Sequence, residues 1–316
     1  MAYNLKEIAK KPERFTGGHR MCAGCGAPVV VRQILRALKP EDHAVVGVAT
    51  GCLEVSTFIY PYTSWEDSFI HTAFENSPAN IAGAEAAYRA LKKKGKISGD
   101  TKFIAFGGDG GTYDIGLQAL SGAMERGHDM VYVCYDNGAY MNTGIQRSSA
   151  TPIGADTTTT PAGKASTGKV QPRKDLTAIM AAHNIPYVAQ TAISNWQDVH
   201  KKSKKAFDVD GPAFLNILSP CPRGWRYNTP DILEIVKIAV ETRFWPLFEV
   251  ENGKWKLNYK PKKYVPIEEF LKPQGRFRHL FAPGKEDIIK RIQEDVDQKW
   301  LALLERCGET TELPPR

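Results

Sequence analysis

The sequence lacks any long uncharged apolar run, and this absence excludes a membrane-spanning helix, which needs about 20 consecutive apolar residues. Its first eleven residues alternate polar and charged side chains where a secretory signal would need an apolar centre. Apolar residues nevertheless make up 42% of the 316 positions, which is enough for a large hydrophobic core. We therefore expect a globular protein of the cytoplasm without a membrane partner.

Cysteine is also scarce, with six residues in the whole chain. Six cysteines in a chain without a secretory signal argue against a disulfide framework and favour metal binding, catalysis or burial. Cys134 lies in the apolar run MVYVCY and is expected to be a small buried side chain. Cys307 ends an amphipathic stretch where we expect no chemistry. The candidates for chemistry are the other four, Cys22, Cys25, Cys52 and Cys221.

An excess of acidic residues is absent as well, since 42 Lys and Arg outnumber 35 Asp and Glu and give a net charge of +7. Such a charge favours acidic partners and raises the question of nucleic acid. The lysine runs at 92–96, 201–205 and 260–263, however, lie far apart in sequence and have no interleaved aromatic residues on which bases could stack. We therefore expect solvated surfaces, an acidic protein partner and no nucleic acid.

What the sequence does contain is a glycine-rich turn between two apolar runs, in FIAFGGDGGTYDIGLQALSGAMERGHDMVYVCYDNGAYMNTG at 103–144. The run at 103–106 predicts a buried strand, and the run at 130–135 predicts a second one. Apolar residues at helical spacing over 115–124 predict a helix between them. This pattern indicates a βαβ unit whose two turns lie together at the carboxyl edge of a parallel sheet.

An aspartate stands in the middle of the glycine-rich turn. The glycines Gly108, Gly110 and Gly111 would bring backbone amides and a helix N-terminus close to an anion. A bare Asp109 carboxylate would repel a phosphate, and a divalent cation resolves the conflict because magnesium takes carboxylate, amide and phosphate oxygens. Asn137, in the second turn, would supply the amide. The competing interpretation is an ordinary capping aspartate, and the dinucleotide motif G-x-G-x-x-G is only partly matched.

The remaining apolar segments alternate between strand and helix patterns. Further strands are predicted at 44–49, 69–74, 185–189 and 213–218, and further helices at 29–38, 80–93, 176–183, 195–207 and 232–242. The alternation predicts an α/β fold with a doubly wound, mostly parallel sheet over residues 1–243. Residues 244–316 predict a β-hairpin turning at Asn252 and Gly253 and a helix over 287–306, which we expect to form an arm that packs on partner subunits.

The four candidate cysteines all fall near the same predicted edge of the sheet. Cys22 and Cys25 form a CxxC pair in a glycine-containing loop, which precedes the helix predicted at 29–38. Cys52 and Cys221 each follow the end of a predicted strand. Since the carboxyl ends of parallel strands share one edge, the four thiolates can converge on one ligand. The residues alone leave open whether that ligand is tetrahedral zinc or an iron–sulfur cluster.

Together these motifs resemble thiamine diphosphate enzymes, in which G-D-G and an asparagine about thirty residues later bind the diphosphate through magnesium. The segments GGDGGTYDIGLQALSGAMERGHD and YDNGAYMNTGIQRSSATP, with the four cysteines, resemble above all the beta subunit of 2-oxoacid:ferredoxin oxidoreductases of the pyruvate type. The resemblance covers nearly the whole chain and implies a thiamine diphosphate-binding fold of the diphosphate type. It also implies one 4Fe4S cluster, rather than zinc, on the four cysteines.

Carried over to this sequence, the resemblance gives roles to residues of both turns. Asp109, the Asn137 side chain and the Ala139 carbonyl would hold magnesium. Asn142 would face the thiazolium ring and the substrate as a catalytic residue. The other residues implied to contact the cofactor are Gly108, Gly110, Gly111, Thr143, Gly51, Cys52, Leu53, Phe74 and Asn76. For the last two, a core aromatic and a helix cap are equally good interpretations.

The resemblance also implies partners. In thiamine diphosphate enzymes a glutamate activates the aminopyrimidine ring and normally comes from a domain other than the one that holds the diphosphate. This chain has one G-D-G site and no second βα set, so it is expected to be half of an active site. An alpha-type subunit would supply the pyrimidine domain and the glutamate. A ferredoxin-like subunit with further 4Fe4S clusters would pass electrons to soluble ferredoxin. The whole assembly would be a dimer of heteromers, and its host would be an anaerobe.

The sequence departs from the pattern of pyruvate members at three positions. In the long loop at 143–172, Ile153 and Asp156 stand where an aromatic pair is common, and Gly138 stands where Glu is common. Pocket changes of this kind shift substrate discrimination by about 1–3 kcal/mol. Pyruvate, oxidised with transfer of the acyl group to coenzyme A, is the expected substrate; oxalate, oxidised without coenzyme A, is the alternative. A non-oxidative thiamine diphosphate decarboxylase and a zinc-stabilised, non-catalytic subunit are interpretations of another class.

Overall fold

A single eight-stranded sheet organises the computed structural model, which describes residues 4–315. The strands are β1 His43–Ala49, β2 Ser68–Thr72, β3 Thr101–Gly108, β4 Val131–Asp136, β5 Tyr187–Ala192, β6 Ala213–Leu218, β7 Phe248–Glu251 and β8 Lys254–Leu257. Strands β1 to β6 are parallel, in the spatial order β2-β1-β3-β4-β6-β5, and β7 and β8 continue the sheet antiparallel beyond β5. Every residue of β4, β5 and β6 is buried, as parallel strands covered on both faces require.

Eleven α-helices surround the sheet in the described part of the chain. They are α1 Leu5–Ala9, α2 Gly26–Leu35, α3 Cys52–Val55, α4 Ser77–Lys93, α5 Leu117–Glu125, α6 Leu176–Ala181, α7 Trp196–Asp208, α8 Pro222–Trp225, α9 Ile232–Glu241, α10 Glu268–Leu271 and α11 Glu286–Arg306. A π-helical turn, Gly110–Ile115, precedes α5, and 3-10 turns lie at Thr229–Asp231 and Gly275–Phe281. None of these helices combines the length and apolarity that crossing a bilayer requires.

The two faces of the sheet carry separate hydrophobic cores. Alternate residues of β3 divide between them, since Ile104 packs in the core with α2 and α7 and Ala105 packs in the core with α4 and α5. Gly47 of β1 allows the close approach of α4, because a Cβ at this position would lie 2.6 Å from Ile81 Cγ1. The doubly wound arrangement thus brings the carboxyl ends of the parallel strands to one edge.

The predicted α/β class, the mostly parallel sheet and the C-terminal hairpin and helix are confirmed. Some bounds were wrong. The strand expected at 69–74 is Ser68–Thr72, the strand expected at 185–189 is Tyr187–Ala192, and the helix expected to begin at residue 80 begins at Ser77, with Pro78 in its first turn. Gly110 and Gly111, expected in the turn, and Ile115, expected in the helix that follows it, belong to one π-helical segment, Gly110–Ile115.

The C-terminal region is continuous with the sheet and its core. Strand β7 pairs antiparallel with β5, with Tyr187 opposite Glu251, so the hairpin extends the main sheet. Trp300 and Leu304 of α11 are buried in the same core as Val188 of β5. Residues 244–316 therefore share their core with the residues before 243. Their packing on partner subunits stays a prediction.

Candidate functional site

Four neighbouring strands end at one edge of the sheet. Each is followed by a residue that the sequence predicts to bind a metal centre. In spatial order β1, β3, β4 and β6 lead to Cys52, Asp109, Asn137 and Cys221. The cysteines follow the two outer strands of this set, and the two oxygen-bearing side chains follow the inner two. Parallel strands lie about 4.8 Å apart, so these loops are neighbours in space.

A cleft opens at this edge. Ten of the residues expected to contact a cofactor line it, namely Gly51, Cys52, Phe74, Gly108, Gly110, Gly111, Asn137, Ala139, Asn142 and Thr143. Asp109 is fully buried. Two further residues of the expected set lie elsewhere: Leu53 is fully buried in the core, and Asn76, which precedes α4, accepts a hydrogen bond from Asn80 at 3.3 Å. Neither of these two side chains lines the cleft.

Four lining residues were missed in the sequence: Thr50, Tyr135, Tyr140 and Met141. Tyr140 and Met141 fall between the expected Asn137 and Asn142, so continuity of the segment was a usable signal. The Tyr140 ring stacks on Phe74 at 5.5 Å between centroids, which gives the cleft an aromatic wall. Gly110 permits this wall, because a Cβ there would lie 2.5 Å from the Tyr140 ring.

The surroundings of the buried Asp109 carboxyl group disfavour its ionised form. Its Oδ1 accepts a hydrogen bond from the Asn137 backbone N at 3.1 Å, and its Oδ2 accepts one from Ser148 Oγ at 2.5 Å. Burial, together with the nearby Asp136 carboxylate, raises the pKa of Asp109 to about 8, although the Ser148 hydrogen bond acts in the opposite direction. Such a carboxylate gains from a cation placed beside it.

The side-chain amide of Asn137 links Asp109 to Ala139. Its nitrogen donates to Asp109 Oδ1 and to the Ala139 carbonyl oxygen, both at 2.9 Å. Carboxylate, amide and carbonyl oxygens are ligands of the kind that magnesium takes. These three groups are therefore the candidates for a cation site.

An ion pair behind the site holds the turn that carries two of these oxygens. Asp136 is fully buried and pairs with Arg173, whose guanidinium also stacks on Trp245 at 4.4 Å. Asp136 Oδ1 accepts a hydrogen bond from Gly138 N at 3.1 Å, and Thr151 Oγ1 donates to the Gly138 carbonyl at 2.7 Å. Gly138 has a φ of +75°, in the left-handed region that favours glycine. The turn is therefore fixed from both sides.

The CxxC loop is tied to the loop of the fourth cysteine. Cys25 N donates to Cys22 O at 3.1 Å, and Gly26 N donates to Pro220 O at 2.9 Å. A Cβ at Gly26 would lie 2.8 Å from Pro220 N, so this approach requires glycine. Cys221 directly follows Pro220. Cysteines distant in sequence are thus held side by side.

The four thiols influence one another electrostatically. Burial, and after it the other thiols of the set, raise the pKa of both Cys25 and Cys52 to about 12. Cys52 Sγ lies 3.7 Å from Asn142 Oδ1, and Cys221 Sγ accepts a hydrogen bond from Gly224 N at 3.3 Å. Within residues 4–315, however, no three His, Cys, Asp or Glu side chains lie close enough together to hold a single metal ion.

The other two cysteines lie apart from this set. Cys134 is fully buried in β4, within the core, and Cys307 follows α11 at its C-terminal end. None of the six cysteines forms a disulfide in the described structure.

Comparisons with known proteins agree with this geometry. Residues 49–217, more than half of the chain, match the family model of the thiamine pyrophosphate enzyme C-terminal TPP binding domain. Among solved structures, the chain is similar to a 2-oxoglutarate:ferredoxin oxidoreductase from Magnetococcus marinus, with a TM-score of 0.56 and 20% identity over 71% of this chain and 79% of that chain. At this identity the likeness shows the fold alone.

Curated relatives are far more similar in sequence. Pyruvate synthase subunit PorB of Thermotoga maritima is 52% identical over 100% of both chains. Ketoisovalerate oxidoreductase subunit VorB of Pyrococcus furiosus is 46% identical over 94% of this chain and 95% of that protein. With this identity over its full length, the chain belongs to the PorB family, the beta subunits of the 2-oxoacid:ferredoxin oxidoreductases.

Proposed function

We propose that this chain is the beta subunit of a pyruvate:ferredoxin oxidoreductase, and that it binds thiamine diphosphate through magnesium together with one 4Fe4S cluster. The observation that carries the proposal is that the Asn137 amide joins the Asp109 carboxyl and the Ala139 carbonyl, at 2.9 Å each, beside a glycine-lined cleft. Membership of the PorB family supports it independently.

The donor set fits magnesium bound to a diphosphate. The oxygens of Asp109, Asn137 and Ala139 would supply three ligands, and phosphate oxygens and water would complete an octahedron. Gly108 and Gly110 line the cleft and leave room for a diphosphate against the backbone. The cation also offsets the cost of burying the Asp109 carboxylate.

We propose an iron–sulfur cluster on the thiol set because such a cluster fits the family to which the chain belongs. Burial and neighbouring thiols of the set raise the pKa of Cys25 and Cys52 to about 12, which is consistent with thiols that share one ligand. The ligands we propose are Cys22, Cys25, Cys52 and Cys221.

Thiamine diphosphate, when bound, supplies a carbanion that adds to the carbonyl of a 2-oxoacid and promotes loss of carbon dioxide. The residues of this chain would prepare the space for that chemistry. The stacked Phe74 and Tyr140 form an apolar wall that excludes water. Asn142 presents its side chain to the cleft as a hydrogen-bonding group for the substrate and contacts Cys52, so the substrate and the cluster are neighbours.

Partner subunits complete the proposal. Relatives of the chain are named as subunits, which supports an assembly of several chains. We infer an alpha-type subunit that supplies the activating glutamate, a ferredoxin-like subunit with further 4Fe4S clusters, soluble ferredoxin as the acceptor, and a dimer of heteromers. A cytoplasmic location also stays a prediction.

The structure weakens the argument for oxalate. Asp156 forms an ion pair with Arg226 at 2.7 Å, and Ile153 is buried in the core. Neither these residues nor Gly138 belong to the lining of the cleft. The pocket change inferred from the three positions is therefore not seen at the cleft, and pyruvate is the substrate we propose.

The experiment is ferredoxin reduction by the assembled complex with pyruvate, ketoisovalerate and oxalate, each with and without coenzyme A. We expect turnover of pyruvate that depends strictly on coenzyme A. Turnover of oxalate without coenzyme A would replace this substrate assignment. Steady release of aldehyde without ferredoxin reduction would instead favour the non-oxidative decarboxylase.

The cofactor site is tested in the same complex with Asp109→Ala. This variant should lose magnesium-dependent binding of thiamine diphosphate and keep the visible absorption of the cluster, because the carboxylate serves the cation and not the iron. Asp156→Ala is the matched control, since its carboxylate pairs with Arg226 away from the cleft. Unchanged cofactor affinity in Asp109→Ala would refute the magnesium site.

A further inference from the structure

Arg276 is a buried cation whose role the proposed reaction does not explain. Its side chain is almost entirely buried, with the residue 2% exposed. The hydrogen bond that its guanidinium makes within residues 4–315 runs from Nε to Gln274 Oε1 at 2.8 Å. The guanidinium lies over the Trp225 ring at 4.1 Å and near the Phe277 ring at 5.0 Å. These contacts hold the cation without neutralising it.

The other arginine of the described chain that is buried to the same degree, Arg243, pairs with Asp297 at 2.9 Å. The partly buried Arg14 and Arg173 also have acidic partners, Asp67 and Asp136. Arg276 forms no ion pair with a carboxylate among the described residues. A cation taken out of water without an anion is costly, and stacking on an aromatic ring offsets only part of that cost. Asp136 and Asp109 attract Arg276 without pairing with it directly, so a further anion beside the guanidinium would lower this cost.

The position of Arg276 indicates which anion this is. The residue lies beside α8, the short helix that begins directly after Cys221, because Gly275 N donates to Arg226 O at 3.2 Å and Trp225 N donates to Cys221 O at 2.9 Å. The negative charges of Cys221, Asp136 and Asp109 raise the pKa of Arg276 and so act against the larger effect of its burial. Burial lowers the pKa of Arg276 to about 9, so the guanidinium remains cationic at neutral pH.

We propose that Arg276 is the counter-charge of the iron–sulfur cluster and raises its reduction potential. This inference rests on the proposed function, in which Cys221 is a cluster ligand. A 4Fe4S cluster that accepts one electron gains one negative charge, and a fixed cation nearby in a poorly polarisable interior favours that reduced state. Arg276 thereby makes the cluster a better electron acceptor for the oxidation in the adjoining cleft.

The test is a redox titration of the cluster in the assembled complex, followed by electron paramagnetic resonance with a mediator and dithionite as the electron source. In Arg276→Gln the ratio of reduced to oxidised cluster at a given potential should fall roughly tenfold, which is a shift of about 59 mV to more negative potential for one electron. Arg276→Lys keeps the charge and should recover most of the shift. Arg243→Gln is the matched control, a buried arginine stacked on Tyr264 and paired with Asp297, and should leave the potential unchanged.

Each result of this titration either supports or overturns the proposed role of Arg276. A cluster of normal iron content with an unchanged potential in Arg276→Gln would overturn this inference and leave the proposed function intact. A wild-type complex without iron would overturn both. If Arg276→Gln loses iron, recovery of both iron and potential in Arg276→Lys supports the counter-charge, whereas loss of iron in that variant too would assign Arg276 a packing role and overturn the inference.

Discussion

Replacing Ser148 with alanine tests the magnesium site through a residue that does not itself face the cation. Ser148 Oγ donates to Asp109 Oδ2 at 2.5 Å, and both residues are fully buried. The hydrogen bond fixes the carboxylate with Oδ1 toward Asn137 and favours its ionised form. Loss of the hydroxyl leaves Asp109 freer to rotate and easier to protonate. Both effects lower the affinity for magnesium.

The magnitude follows from the role of the hydroxyl as an outer partner of a metal ligand. Such partners typically contribute 10-fold to 100-fold to metal affinity. This range corresponds to about 1.4–2.7 kcal/mol of binding free energy. The fold itself should also lose about 1–3 kcal/mol, because Ser148 Oγ accepts a hydrogen bond from Ala150 N at 3.1 Å and its removal leaves this donor unsatisfied as well.

Isothermal titration of magnesium into the assembled complex, at saturating thiamine diphosphate and neutral pH, measures this affinity directly. Ser149→Ala is the matched control, because the Ser149 hydroxyl donates to Asp114 and not to Asp109. Iron content should be the same in both variants and in the wild type. A magnesium affinity of Ser148→Ala within twofold of the wild type, or an equal loss in Ser149→Ala, would show that the hydrogen bond does not prepare the site.

Four further predictions follow from the same geometry. Serine substitution of each cysteine should lower the iron content in four variants and leave it unchanged in Cys134→Ser and Cys307→Ser; any other division in an iron assay contradicts the ligand set. Because the pKa of Asp109 is raised to about 8, magnesium affinity should increase with pH until about 8 and then level off, as titrations at several pH values would reveal. In the metal-free chain, the raised pKa of Asp109 contributes most to the stability of the fold below about pH 4. This contribution should be lost as the pH rises through about 8, and thermal unfolding at several pH values measures it. Arg173→Met, which leaves the buried Asp136 carboxylate unpaired, should destabilise the fold by about 3–5 kcal/mol in urea unfolding, and adding Asp136→Asn should recover part of that loss.

The parts of the fold that were predictable from sequence are those where the local pattern agrees with burial. Strands β4 and β6 are short apolar runs between turn signals, and the structure has them at Val131–Asp136 and Ala213–Leu218, close to the predicted ranges. The Asp109 and Asn137 turns were found because the glycines and the strand ends have a local signature. Glycine-rich sequence, by contrast, disfavours helix, so the π-helical turn at Gly110–Ile115 was not expected.

Contacts between distant parts of the chain left no comparable signature. The hydrogen bond from Ser148 to Asp109 spans 39 positions and starts in a loop without periodicity. The pairing of β7 with β5 is likewise a tertiary event, and an amphipathic hairpin at a sheet edge has the same pattern as one in a separate arm. Arg276 was overlooked because nothing in its neighbours distinguishes a buried arginine from a solvated one.

The hydrogen bond between Gly26 and Pro220 has a consequence for the order in which the protein matures. The ribosome makes the CxxC loop near the beginning of synthesis, but its binding partner appears only after more than two thirds of the chain has been translated. Until then Cys22 and Cys25 have no fixed neighbour, and the nascent chain holds three of the four proposed iron ligands. Cofactor loading would therefore follow folding of the complete sheet. With the proposed cluster, the unloaded thiols would be open to oxidation during that interval, and newly synthesised protein would be more vulnerable to air than the loaded subunit.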